Sequence, residues 1–135
     1  MNETAEVRSR TMRAVKSRDT QPELIVRRLT HLMGFRFRLC RKDLPGCPDL
    51  VFPRLRKVIF INGCFWHGHT CMRGRRIPKS NKEYWLKKIL KNRERDQKAL
   101  KLLVAAGWKP LVIWECKMRN ESALRNSIKR FLTTQ

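Results

Sequence analysis

The chain has 135 residues, 41% hydrophobic and 32% charged, which suits one globular domain (1–135) with its own core and no need of covalent staples. Thirty-two Lys and Arg against eleven Asp and Glu leave a net charge of +21, which points to a polyanionic partner, and nucleic acid is the common one. No apolar run reaches membrane-spanning length and the segment MNETAEVRSRTMR has no apolar secretory core, so no membrane association and a cytoplasmic location are expected.

In chain order, residues 1–18 place Arg8, Arg10, Arg13, Lys16 and Arg18 around Met12 and Val15 and predict a basic arm or short helix outside the core. "TQPEL" then opens a helix. Thr20 suits its N-cap, Pro22 its first turn and Glu23 a capping box, while Leu24, Leu29, Leu32 and Met33 give it an apolar side and Gly34 ends it. "FRFRLC" (35–40) alternates like a half-buried strand, and "DLPGCPDLVF" turns on Pro45 and Gly46 before an extended run from Asp49. "KVIFI" is a continuous apolar strand of central type, and "RGRRIPKS" (73–80) is a basic loop. Ser80 and Glu83 predict a second capping box opening a long helix that ends at Gly107. "LVIWEC" (111–116) is a further strand, with Pro110 tolerable at its start or at a sheet edge, and a helix over about 121–132 carries Leu124, Ile128 and Phe131. The order is one helix, three strands, a long helix, a strand and a helix.

The long helix is irregular. Apolar positions 85, 86, 89 and 90 resume at 99, 100, 103 and 104, but Asn92, Arg93, Asp96 and Gln97 interrupt the stripe. Two accounts fit: an Arg93–Asp96 pair over a thin edge of the core, or a helix whose middle lines a polar site.

Chemistry concentrates in "NGCFWHGHTC" (62–71). Five cysteines form an odd set in a chain without an export signal, so metal binding explains them better than disulfides. Cys64, His67, His69 and Cys71 are all competent Zn²⁺ ligands, and the loop could supply four or leave the fourth to Cys116. Asp49 stands at the start of a strand next to "KVIFIN", where a carboxylate can hold Mg²⁺ against a phosphate, although most Asp residues in a Pro-Asp pair sit in turns. Phe65 and Trp66 suit core packing, and equally a wedge that pries open a duplex.

"PGCPDLVF", "KVIFINGCFWHGHTC", "YWLKKILKNRERD" and "GWKPLVIWEC" together resemble the very short patch repair (Vsr) mismatch endonucleases, over nearly the whole chain from Thr11 to Cys116. The resemblance implies an α/β fold of the restriction-endonuclease-like PD-(D/E)XK type, a mixed central sheet flanked by helices with a structural zinc site. It implies a bacterial DNA-repair nuclease that nicks one strand 5′ of the thymine in a T:G mismatch left by deamination of 5-methylcytosine. Carried over by position, Asp49 bridges two Mg²⁺ ions with the Ile61 main-chain carbonyl as a second ligand, His67 activates the attacking water, and Glu23 acts through water on the metal. Cys64, His69, Cys71 and Cys116 hold the zinc, which leaves His67 free for catalysis. Phe65 and Trp66 intercalate beside the mismatch, supported by Trp85, while Met12 and Val15 enter from the minor groove and Lys88 and Asn92 read the displaced base edges. Asn62 stands where the best-known member has a histidine; an amide can position water or phosphate but cannot transfer a proton near neutrality. The family also implies a monomer working beside a cytosine methyltransferase and a MutL-type repair protein.

Two rivals are a nuclease of the same fold with another DNA target, and a zinc-stabilised DNA-binding module without catalysis. All three require phosphate contacts by a basic surface. The affinity for duplex DNA is therefore expected to fall steeply and log-linearly with salt, by a factor of about 10³ or more between about 50 and 200 mM, in a fluorescence-anisotropy titration.

Overall fold

The computed structural model describes residues 20–39, 41–64 and 80–134. The basic arm, Cys40 and the basic loop up to residue 79 lie outside the described residues. The elements are α1 (Gln21–Leu32), β1 (Arg38–Leu39), β2 (Leu50–Phe52), β3 (Lys57–Asn62), α2 (Lys82–Ala105), β4 (Lys109–Trp114), a 3₁₀ turn (Glu115–Arg119) and α3 (Glu121–Thr133). This is the expected order, within a mixed α/β fold.

The strands form one sheet in the order β1-β2-β3-β4. β1–β2 and β2–β3 are antiparallel, and β3–β4 are parallel with Lys57 opposite Lys109 and Asn62 opposite Trp114. "KVIFI" is central, as its apolar run requires. β4 is an edge strand, which is why Pro110, with no N–H to give, can sit inside it.

Side chains alternate across the sheet and divide the core in two. Leu50, Phe52, Ile59 and Ile113 meet Val26 and Leu29 of α1 and Leu124, Ile128 and Leu132 of α3 on one face. Val51, Val58 and Phe60 meet Leu103 of α2 and Trp108 on the other. α3 is capped by the Asn120 side chain, which accepts from the Ala123 N–H at 3.0 Å. The almost fully buried Lys57 ties the end of α3 to the sheet by donating to the Phe131 carbonyl at 2.6 Å and also to the Thr134 carbonyl.

Several local expectations are corrected. Thr20 is the N-cap of α1 but makes no side-chain capping bond, because Glu23 is turned inward to other partners. Leu24 and Leu32 are exposed; the buried side of α1 is Glu23, Val26, Leu29 and Thr30. The predicted strand 35–40 reduces to Arg38–Leu39, because Phe35 and Phe37 pack onto the α1–α3 core instead of pairing. α2 begins at Lys82 with Asn81, in a left-handed conformation, at its N-cap, so Ser80 does not form the expected box. Leu86 and Leu90 are exposed, and the strand ending in "WEC" stops at Trp114 before the 3₁₀ turn.

The turn before Asp49 is tightly specified. The Cys47 N–H donates to the Leu44 carbonyl at 3.2 Å, with Pro45 and Gly46 between, and Gly46 takes φ +76°, as the third position of a type II turn demands. A Cβ on Gly46 would stand 2.8 Å from the Ala99 Cβ of α2 and 3.2 Å from the Phe60 ring. Gly46→Ala is expected to cost about 1–3 kcal/mol in urea unfolding, and adding Ala99→Gly should return only part of it, since the second change relieves the contact but not the backbone conformation.

Candidate active site

The strand directions bring three chain ends to one edge of the sheet: the start of β2 and the ends of β3 and β4. The Asp49 N–H donates to the Ile59 carbonyl at 3.0 Å, and the Ile61 N–H donates to Asp49 Oδ2 at 2.7 Å. Ile59 and Ile61, two residues apart, thus both turn their backbone polar groups toward β2, which leaves the Ile61 carbonyl on the Asp49 side of the strand.

Glu23 reaches this edge from the first turn of α1. It is buried, accepts from Arg27 Nη2 at 3.2 Å, and lies within hydrogen-bonding reach of the Asp49 carboxyl. Burial pushes the Asp49 carboxyl up to about 6; the nearby Glu23 adds to that shift, while the Ile61 N–H and the Arg27 charge oppose it. Two carboxylates drawn together away from water form an all-oxygen donor set, which a hard divalent cation such as Mg²⁺ would relieve. Arg27 is the residue that sequence reasoning missed. Its signal was available in the i,i+4 spacing from Glu23.

Asn62 is buried but points to the other face of the sheet from Ile61. There it lines a cavity of about 380 Å³ with Phe60, Asn92, Arg95, Asp96 and Ala99. Trp85, Lys88, Asn92 and Asp96 are half-buried on α2, so Asn92 and Asp96 of the polar interruption line this cavity, whereas Arg93 and Gln97 are exposed. Arg95 donates to Asn92 Oδ1 at 2.6 Å. Lys88 Nζ lies 5.8 Å from the ring centres of both Tyr84 and Trp85, which meet edge to face at 5.2 Å. Asn62 and Asn92, predicted for different tasks, share one cavity.

At the same end of the sheet the parallel pairing of β3 and β4 closes with Asn62 opposite Trp114. Two residues beyond each, Cys64 and Cys116 stand side by side, and the Cys116 N–H points to Cys64 Sγ at 3.4 Å. Two cysteines so paired fit half of a soft-metal donor set. His67, His69, Cys71, Phe65, Trp66, Met12 and Val15 lie outside the described residues.

The sequence profile of the family described as DNA mismatch endonuclease Vsr matches residues 2–73, more than half of the chain. The chain belongs to the Vsr family. It is 50% identical over 121 residues to the type II nicking enzyme V.XorIIP of Xanthomonas oryzae pv. oryzae, covering 90% of this chain and 88% of that one. It is 43% identical over 129 residues to the type II nicking enzyme V.NmeAIP of Neisseria meningitidis (96% and 91% covered), and 43% identical over 117 residues to the DNA mismatch endonuclease Vsr of Escherichia coli (87% and 74% covered). As a Vsr-family protein the chain is an endonuclease. Among the described residues no helix is long and apolar enough to cross a membrane.

The raised Asp49 value has a consequence for stability. Its folded value of about 6 lies above the unfolded one of about 3.9, so the folded chain holds this proton more tightly. That contribution to stability is full below about pH 4 and is lost as the pH rises through about 6. Without divalent metal, Asp49→Asn should therefore melt several degrees above the parent at about pH 7.5, with the difference closing towards about pH 4, as thermal scans in chelator would read.

Proposed function

We propose that this Vsr-family endonuclease is a Mg²⁺-dependent enzyme that nicks one strand 5′ of the thymine in T:G mismatches arising from deaminated 5-methylcytosine, and so starts short-patch repair. The observation that carries this reading is the buried Asp49–Glu23 pair fixed by the Ile61 N–H at the sheet edge. The printed names of the relatives, mismatch endonuclease and nicking enzyme, agree with single-strand cleavage at a mispair. On this reading the fold is of the restriction-endonuclease-like PD-(D/E)XK type.

Asp49 and the Ile61 carbonyl would hold Mg²⁺, with Glu23 alongside. Bound there, the metal would neutralise charge on the phosphate and on the leaving oxygen. His67 takes the proton from the attacking water, since an imidazole titrates close to neutral pH. Glu23 orients that water by hydrogen bonding, and Asn62 positions groups without proton transfer. Cys64, His69, Cys71 and Cys116 bind Zn²⁺ and hold the loop that carries His67; the adjacent Cys64 and Cys116 support that set.

Recognition is assigned to a set of aromatic, apolar and polar residues. Phe65 and Trp66 wedge beside a T:G pair, which is already weakly stacked, with Trp85 as support and Met12 and Val15 inserted from the minor groove. Lys88 and Asn92 read the mismatch edges; Lys88 against two aromatic rings and Asn92 in the α2 cavity support that assignment. The enzyme works as a monomer, beside a MutL-type repair protein.

The test is strand-specific cleavage of matched T:G and T:A duplexes by the full chain, with and without Mg²⁺. Nicking of the thymine strand only, only in the T:G duplex and only with Mg²⁺, is expected. Asp49→Ala should lower the rate by a factor of about 10³ or more while duplex affinity stays within about threefold. Equal cleavage of T:A would instead indicate a same-fold nuclease with another target.

A further inference from the structure

The Arg27–Glu23 pair can be read as an ordinary i,i+4 helix contact, worth about 0.2–0.5 kcal/mol. Its surroundings argue otherwise. The two side chains are only 17% and 6% exposed, and Glu23 faces a second carboxylate, Asp49, within hydrogen-bonding reach. Two buried carboxylates repel each other and lack water to screen them, so a cation built into the fold is needed to hold both in place. Arg27 is such a cation, anchored on the same helix one turn from Glu23, and its charge is felt at Asp49 as well.

The neighbouring residue supplies the contrast. Arg28 pairs with Glu121 at 3.6 Å, with both side chains about 60% exposed, and that pair joins α1 to α3 in solvent. Adjacent arginines on one helix therefore do different work: one at the surface, one against the acidic pair.

We propose that Arg27 is a positioning residue of the nuclease, its guanidinium locking the Glu23 carboxylate in the orientation that faces Asp49. The proposal rests on the reading of Asp49 and Glu23 given under Proposed function. Arg27 touches neither phosphate nor water; it acts through Glu23. A guanidinium is suited to this because it is always charged and presents donors in a fixed plane.

The experiment uses the full chain with Arg27→Met, Arg27→Lys and Arg28→Met, a T:G duplex at saturating Mg²⁺, and Mn²⁺ as the calorimetric probe of the protein dialysed free of Mg²⁺ with its zinc retained. Arg27→Met is expected to lower the single-turnover nicking rate about tenfold or more, since misplacing one group by a fraction of an ångström is enough. Its Mn²⁺ affinity should be unchanged or tighter, because a positive charge beside the carboxylates has gone. Arg27→Lys should recover most of the rate, and Arg28→Met should match the parent. A rate unchanged in Arg27→Met overturns the assignment, and so does a loss of rate together with Mn²⁺ affinity and melting temperature, which marks a merely structural role. If the parent neither binds Mn²⁺ nor needs Mg²⁺, the underlying functional reading falls and the Arg27 assignment with it. If the parent behaves as proposed and Arg27→Met cannot be told from it, Arg27 alone is wrong.

Discussion

A single bond organises this end of the sheet: the Ile61 N–H donating to Asp49 Oδ2 at 2.7 Å. β2 is only three residues long, and its pairing with β3 would otherwise end at Leu50 opposite Ile59 and at the Asp49 N–H. The Asp49 side chain extends the ladder by one rung, so a carboxylate takes the place of a backbone carbonyl. That bond holds the carboxylate rigidly and favours its charged form, while burial at this place, the larger effect, raises its proton affinity. Much of the remaining edge depends on it. Glu23 can face a second carboxylate only because Arg27 sits behind it, and the turn at Gly46 must press against Ala99 to deliver Asp49 to the right rung.

The same constraint links stability to chemistry. A carboxylate desolvated beside another is a cost to the metal-free fold, and the cost is concentrated where a divalent cation would be most welcome. The apolar faces on either side of the sheet offset it. Val26 and Leu29 of α1 anchor the helix that carries Glu23, so the burial of two leucine-sized side chains fixes an acid several ångströms away. Fold energy and site geometry here come from the same helix face.

The elements were readable in the sequence because each has a local cause: an extended run after the turn at Pro45 and Gly46, an unbroken apolar run in "KVIFI", the stop at Gly107. The resemblance singled out Asp49 and the Ile61 carbonyl; the structure shows the Ile61 N–H donating to the Asp49 carboxylate. What was not readable depends on tertiary partners. The signature T-x-x-E at Thr20–Glu23 reads as a capping box, yet Glu23 is recruited across to Asp49 and the box does not form. The i,i+4 spacing of Arg27 from Glu23 is visible in the sequence, but only the approach of α1 to the sheet gives it significance. Likewise "FRFRLC" alternates as a strand should, but the two phenylalanines are drawn under α1 and leave only two residues to pair.

The alternation that sends Ile61 and Asn62 to opposite faces also bears on the residue at 62. Ile61 offers its backbone to the acidic pair, whereas the Asn62 side chain faces the cavity under α2 with Asn92 and Asp96. In such a cavity, lined by amides, a guanidinium and a carboxylate, a side chain that both donates and accepts can join a hydrogen-bond network whatever the pH. An imidazole at the same place would change its donor pattern as it titrates near neutrality. Asparagine at 62 therefore removes a proton-transfer group from the α2 side of the sheet while keeping the hydrogen-bonding capacity that the cavity can use.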